Sequence, residues 1–170
     1  MKNSRKLTSC IIAAMLAALT CVFTMFLKIP IMGGNGYIHL GDMVIYFAAS
    51  LLPLPYAMAS AAIGGTLADI LGGAAVWAPA TFIIKALLTL CFTRKGKTII
   101  SVRNAVACVL CAVITVGGYY IAEGIIYGNW IAAVASIPWN VAQAVGSALL
   151  YAALSFALDR MHLKNRLFTD

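Results

Sequence analysis

Residues 7–29 read LTSCIIAAMLAALTCVFTMFLKI, an apolar run whose first charge is Lys28. A helix rises about 1.5 Å per residue, so about 20 such residues cross the roughly 30 Å hydrocarbon core of a bilayer. The run is therefore read as a membrane-crossing helix from Leu7 to Ile29, stopped by Pro30 and the flexible Gly33, Gly34 and Gly36. Its basic start, Met1 to Lys6, also imitates a signal peptide. No small-x-small site ends the run cleanly, however, and Ala18-Leu19-Thr20-Cys21 is a poor lipoprotein box, so the segment is kept as a helix.

The rest of the chain has the same character. Hydrophobic residues make up 63% and charged residues 10%, with a mean hydropathy of +0.96. In soluble domains about a quarter of residues are charged. The 170 residues with short connections hold about six spans, as a single membrane domain over 1–170 with no room for a soluble one. A second helix begins near Gly41, with Asp42 a candidate N-cap, and ends at Leu52 before Pro53 and Pro55. The third runs from about Tyr56 to Leu71 and is closed by Gly72-Gly73; the fourth runs from Pro79, a good first-turn residue, to Phe92. The fifth spans Asn104 to Glu123 before the turn Gly128-Asn129, and the sixth runs from Pro138 to about Arg160. The expected fold is an all-α bundle of six transmembrane helices, its second and fourth members short for full spans.

Basic residues set the orientation. Lys2, Arg5 and Lys6 precede the first helix, Arg94, Lys95, Lys97 and Arg103 lie between the fourth and fifth, and Arg160, Lys164 and Arg166 follow the sixth. Six passes place all three groups, and both termini, on one side, which the positive-inside rule makes cytoplasmic. The expected location is the cell membrane, multi-pass, and the net charge of +7 is attributed to orientation, with no nucleic-acid partner. Cys10, Cys21, Cys91, Cys108 and Cys111 fall in apolar stretches and read as packing residues. The C-x-x-C of Cys108 and Cys111 has no second pair or nearby histidine, so no metal and no cofactor are expected.

Only five side chains are acidic, and Asp42, Asp69 and Glu123 join Lys85 inside or at the rims of apolar segments. An ionisable group at the centre of a membrane helix costs about 2.5–3.5 kcal/mol on the insertion scale, which makes these four the first place to look for function. The orientation puts all of them in the outer third; Lys85 lies about 9 Å below the outer end of its helix. At the same level Asn140 and Gln143 share a face of the sixth helix, Tyr119 and Tyr120 stand one turn from Glu123, and Tyr37 and His39 precede Asp42. Trp77, Trp130 and Trp139 flank the rim. Such an aromatic-walled cleft with a few amides and charges suits a small, planar, polar ligand. Each group also has a structural reading: Lys85 paired with Asp69 between neighbouring helices, Asp42 as a cap, Glu123 at headgroup level, His39 as a loop hydrogen-bonder, the tryptophans as interface anchors, and Asn140 with Gln143 as helix-to-helix bonding.

Small residues recur at i, i+4: Ala13 with Ala17 and Ala14 with Ala18 on the first helix, Ala57, Ala61 and Gly65 and then Ser60, Gly64 and Ala68 on the third, and Ala144, Ala148 and Ala152 on the sixth. This spacing lets helix backbones approach closely. On the first helix it serves either packing within the bundle or a face for another membrane protein.

Four stretches together resemble the substrate-binding S components of energy-coupling factor (ECF) transporters, in the riboflavin-transporter-like branch. They are Gly36-Tyr37-Ile38-His39-Leu40-Gly41-Asp42, Leu67-Ala68-Asp69-Ile70-Leu71-Gly72-Gly73, Pro79-Ala80-Thr81-Phe82-Ile83-Ile84-Lys85, and Ile137-Pro138-Trp139-Asn140 with Gln143. The likeness extends over nearly the whole chain and departs where Pro53-Leu54-Pro55-Tyr56-Ala57 replaces the family's Gly-Pro-x-x-Gly turn. The resemblance implies capture of a water-soluble vitamin or precursor (riboflavin, pyridoxine or a hydroxymethylpyrimidine-like compound) at the outer face, then delivery by rotation against a T component driven by two ATPases. It implies substrate contacts from Lys85, Glu123, Asn140, Gln143 and His39, with Trp139 or Tyr120 stacking on a ring. Ala13, Ala14, Ala17 and Ala18 resemble the surface that meets the T component. The chain has no Gly-rich phosphate loop, so ATP hydrolysis falls to its partners, and no catalytic arrangement of an enzyme stands out. The alternative is a self-sufficient ion-coupled carrier in which Asp69, Lys85 and Glu123 relay protons, although no internal repeat supports it.

Overall fold

A computed structural model describes residues 2–30, 37–96, 98–162 and 164. Helix α1 (Lys2–Phe26) leads into strands β1 (Lys28–Pro30) and β2 (Tyr37–His39), followed by α2 (Gly41–Leu51) and α3 (Leu54–Leu71). A 3-10 turn (Ala75–Trp77) enters α4 (Ala78–Cys91), and then come α5 (Val102–Tyr127), the short α6 (Trp130–Val134) and α7 (Ile137–Arg160). The helical bundle is as expected, and proline marks its starts: Pro55, Pro79 and Pro138 each sit in a first turn, where a missing N–H costs nothing. Ser101 caps α5 by accepting the Asn104 N–H, and Gly128, at φ 64°, closes it in the left-handed region.

Several boundaries differ from the sequence reading. The first helix ends at Phe26 rather than Ile29, because Lys28, Ile29 and Pro30 pair antiparallel with His39, Ile38 and Tyr37. The expected glycine loop at Gly33, Gly34 and Gly36 lies outside the described residues. The fifth helix continues a full turn past Glu123 to Tyr127, and α6, capped by Asn129 on the Ala132 N–H, was not anticipated.

Among the described residues, four segments are long and apolar enough to cross a membrane: Arg5–Phe26, Leu54–Leu71, Val102–Tyr127 and Trp130–Arg160. The 11 residues of α2 cover only about 16 Å. Its burial explains why this suffices. Every residue of α2 except Met43 is buried, with α1, α3, α4 and α7 packed around it. A helix apolar on all sides belongs inside a bundle, and non-helical backbone at its ends is tolerated at membrane depth because protein covers it. Large apolar side chains of α1, α5 and α7, including Met15, Val109 and Leu149, face outward instead, as lipid contact requires.

The close approach of α1 and α3 depends on small residues. A Cβ on Gly64 would stand 2.6 Å from the Ala17 carbonyl oxygen and 2.9 Å from Thr20 Cβ. Ala13 is buried and Ala17 half-buried, whereas Ala14 and Ala18 are exposed. The two alanine pairs are therefore divided: one faces the bundle and the other leaves it.

At the end of the bundle where α7 finishes, a polar knot ties down the irregular segment between α4 and α5. Asn104 accepts from the Thr93 N–H (3.0 Å) and donates to the Ile99 and Thr93 carbonyls (2.8 and 3.1 Å). Ser50 and Tyr151 share a 2.7 Å hydrogen bond, and Tyr151 donates to the Ile99 carbonyl. Asp159 accepts from the backbone N–H groups of Ile99 (2.7 Å) and Ile100 (2.9 Å). Tyr46, Phe92 and Tyr151 pack their rings around it.

Gly64→Val is expected to lower unfolding stability in detergent by about 1–3 kcal/mol through overpacking of the α1–α3 crossing. Ile63→Ala, one position away on an exposed face, should change it by less than about 0.5 kcal/mol in the same thermal or denaturant titration.

Candidate functional site

Asp42 sits in the first turn of α2, where the positive end of the helix dipole favours a carboxylate. It does not cap the helix: the cap position is Leu40 and makes no side-chain bond. Its carboxylate turns into the bundle. Oδ1 lies 2.6 Å from Lys85 Nζ, with Lys85 1% and Asp42 0% exposed. Gln143, reaching in from α7, donates Nε2–H to Asp42 Oδ2 (3.0 Å) and accepts the His39 backbone N–H on Oε1 (3.1 Å). His39 Nδ1 in turn accepts the Gly41 N–H (3.1 Å). A Cβ on Gly41 would collide with the Thr24 hydroxyl of α1 and come within 3.2 Å of His39 Nδ1, so glycine is required where α1, the hairpin and α2 meet.

This geometry corrects the expected partner of Lys85. The ion pair joins α4 to α2 through Asp42, not α4 to α3 through Asp69. Asp69 is buried near the end of α3, where its carbonyl accepts the Ala74 N–H and helps turn the chain into α4. On the other side of Lys85 the Tyr119 ring centre lies 5.1 Å from Nζ, a cation–π approach, and Tyr119 shares a hydrogen bond with Thr81 (3.2 Å). Trp77 packs edge-on to Tyr119 and Tyr127, each at 6.0 Å.

Of the anticipated ligand contacts, the structure brings Lys85, Gln143 and His39 into this network. Asn140 is half-buried and donates Nδ2–H to the Ser136 carbonyl of its own chain segment (3.2 Å), so the two amides of α7 have separate partners. Trp139 is 40% exposed, Glu123 is half-buried on α5, and Tyr120 packs against Trp130 at 5.7 Å. Asp42, Thr81 and Tyr119 are the members that sequence reasoning undervalued. Thr81 and Lys85 are four apart on α4, a spacing that puts both on one face.

A cavity of about 350 Å³ adjoins the network, lined by Phe26, Leu27, Lys28, His39, Leu40, Ala142 and Gln143. It lies between the end of α1, the hairpin and α7. Its inner wall is the His39–Gln143 pair, which the buried ion pair holds in place. The pair and a neutral His39 sum to no net charge, and Lys28 adds one cation to the lining, so the arrangement offers oriented hydrogen-bonding groups beside a positive charge. No group of three metal-ligating side chains occurs among the described residues.

Burial pushes the His39 imidazole down from 6.5 to about 4, with Asp42 opposing and Lys85 assisting. Protonation would remove the acceptor for the Gly41 N–H and add a cation beside Lys85.

Two outcomes follow. Asp42→Asn or Lys85→Met alone is expected to cost about 3–5 kcal/mol of unfolding stability, and Asp42→Leu with Lys85→Met clearly less than the sum, because only the single changes strand a buried charge. The docked hairpin should be fully stable above pH 6.5 and weaken as pH falls from 6.5 towards about 4. The slope is at most about 1.4 kcal/mol per pH unit. His39→Gln should flatten that part of the profile in hydrogen exchange of residues 37–43.

Comparison with known proteins gives a relative and a family. A protein of Pyrococcus woesei, described as an uncharacterized protein in gap 3'region, is 32% identical over 142 residues, covering 82% of this chain and 93% of that protein. Residues 4–160 match the family described as ECF-type riboflavin transporter, S component. With the match running from α1 to the end of α7, the chain belongs to the ECF-type riboflavin transporter S component family.

Proposed function

We propose that this chain captures a water-soluble vitamin or vitamin precursor at the outer face of the cell membrane, in the cavity beside His39 and Gln143. Riboflavin, pyridoxine and a hydroxymethylpyrimidine-like compound are the candidate substrates. The observation that carries the reading is the buried, charge-balanced Asp42–Lys85 pair orienting Gln143 against that cavity. Gln143 and His39 contact the ligand in this reading, and Lys85 positions them through Asp42. Glu123, Asn140, Trp139 and Tyr120 are further contacts in this reading, with Trp139 or Tyr120 stacking on a ring.

Membership in a transporter S-component family supports a substrate-binding subunit rather than an enzyme. Delivery would use a T component and two ATPases, the S component rotating against the T component with both termini cytoplasmic. In this reading Ala14 and Ala18, exposed on α1, meet such a partner. Ala17 packs against Gly64 of α3 and Ala13 is buried, so this reading does not use them.

Purified protein titrated with riboflavin, pyridoxine and hydroxymethylpyrimidine is expected to bind one of them, and Gln143→Ala to weaken that affinity about 10- to 100-fold, since the change leaves buried polar groups unpaired. Leucine at Ala14 and Ala18 should abolish uptake in cells that hold the coupling module while leaving affinity unchanged. Binding of none of the three, or uptake by this chain alone in liposomes under a pH gradient, would overturn the proposal.

A further inference from the structure

Eight residues along α2 from Asp42, about 12 Å away, the polar knot at Ser50 fixes a second surface. Asn104 and Asp159 hold the backbone of Thr93, Ile99 and Ile100 by side-chain hydrogen bonds. This sets Arg94 and Lys95, both exposed, beside the end of α7 with Arg160 and Lys164. Lys164 Nζ donates to the Thr98 carbonyl (3.4 Å), which bridges the two segments. Burial and the proximity of Arg94 hold the Lys164 ammonium below the usual lysine range, with Asp159 opposing.

Like charges are thus brought together, and Arg94, Lys95, Arg160 and Lys164 outnumber the one nearby acid, Asp159. Both Asp159 oxygens accept backbone N–H groups. Asp42, Asp69 and Glu123 belong to the other half of the bundle, and Asp170 lies outside the described residues. An anion from outside the chain would offset this charge. The surroundings indicate its kind: Val102 is 85% exposed at the start of α5, Phe156 is 54% exposed on α7, and the Arg160 guanidinium lies 4.6 Å over the Phe156 ring. Cations therefore border an apolar belt facing lipid, with a guanidinium drawn along the helix towards it. A diffusing inorganic anion has no use for that belt, whereas a phospholipid has a phosphodiester for the cations and acyl chains for the apolar face.

We propose that the surface formed by Arg94, Lys95, Thr98 and the end of α7 binds the headgroup of an anionic phospholipid, with Arg94 and Lys164 as its principal contacts. The site stands independently of the solute the chain carries. It serves to hold Arg94, Thr98 and the end of α7 in one register with the membrane surface.

The test is native mass spectrometry of the intact protein released from micelles containing equal amounts of phosphatidylglycerol and phosphatidylcholine. Wild type should retain phosphatidylglycerol selectively, and Arg94→Gln with Lys164→Gln should lose it by about tenfold or more. Arg94→Lys with Lys164→Arg should keep it, and so should Arg5→Gln, which removes one charge near the start of α1. An unchanged thermal midpoint in the Gln variant shows that it is folded; if it is not, Arg94→Gln alone carries the comparison. Equal retention of both lipids, equal loss in Arg5→Gln, or undiminished binding by the Gln variant would overturn the proposal. Displacement of the lipid by inorganic phosphate would also overturn it, by marking the site as one for a free anion.

Discussion

A carboxylate and an ammonium 2.6 Å apart, both shut away from water, organise one end of this bundle. Neither charge is tolerable alone at that depth, so wherever Asp42 goes Lys85 must follow. Asp42 is carried by the start of α2 and Lys85 by the middle of α4, so the pair sets how these two helices meet. The remaining lone pairs of Asp42 then recruit Gln143 from α7, and Gln143 recruits the hairpin through the His39 N–H. One electrostatic necessity thereby fixes four chain segments in mutual register. The cavity beside them inherits its shape from that register.

The same logic accounts for a central helix of 11 residues in a membrane protein. α2 has no lipid face, so its length is set by the distance between two polar closures rather than by bilayer thickness. At one end stands the Asp42 network; at the other Ser50 meets Tyr151 and Asn104. Both closures satisfy irregular backbone, which in hydrocarbon would cost several kcal/mol for each unpaired group. The surrounding helices are longer and divide their surfaces between this core and lipid. Small residues at the α1–α3 crossing permit that enclosure, since Gly64 leaves room for the backbone of Ala17.

The sequence made the bundle plain because hydropathy and proline placement report directly on membrane helices. Charge clusters at 2–6, 94–103 and 160–166 are the ground for expecting an even number of passes. Pairing was harder to read. Asp42 looked like a cap because helix starts favour aspartate, and Asp69 looked like the partner of Lys85 because α3 and α4 are neighbours in sequence. Which acid meets a buried lysine depends on the rotation and crossing of α2 and α4, and those arise from tertiary packing. The hairpin was hidden by its brevity, three residues in each strand, and α6 by its five. The alanines of α1 were equally ambiguous. An i, i+4 pattern identifies close-packing faces without saying which of two adjacent faces is turned inward, and here Ala13 goes in while Ala14 stays out.

Membership in an S-component family gives this architecture a task, and the buried ion pair gives the proposed site its rigidity. A wall that presents an amide, an imidazole and the Lys28 cation suits a heteroaromatic solute recognised by hydrogen-bond direction. The most direct measurement is mass spectrometry of the small molecules that co-purify with the protein, compared between wild type and Gln143→Ala. A vitamin-sized heteroaromatic compound is expected at near-stoichiometric level in wild type and depleted in the variant. No such compound, or equal amounts in both, would contradict the proposed site.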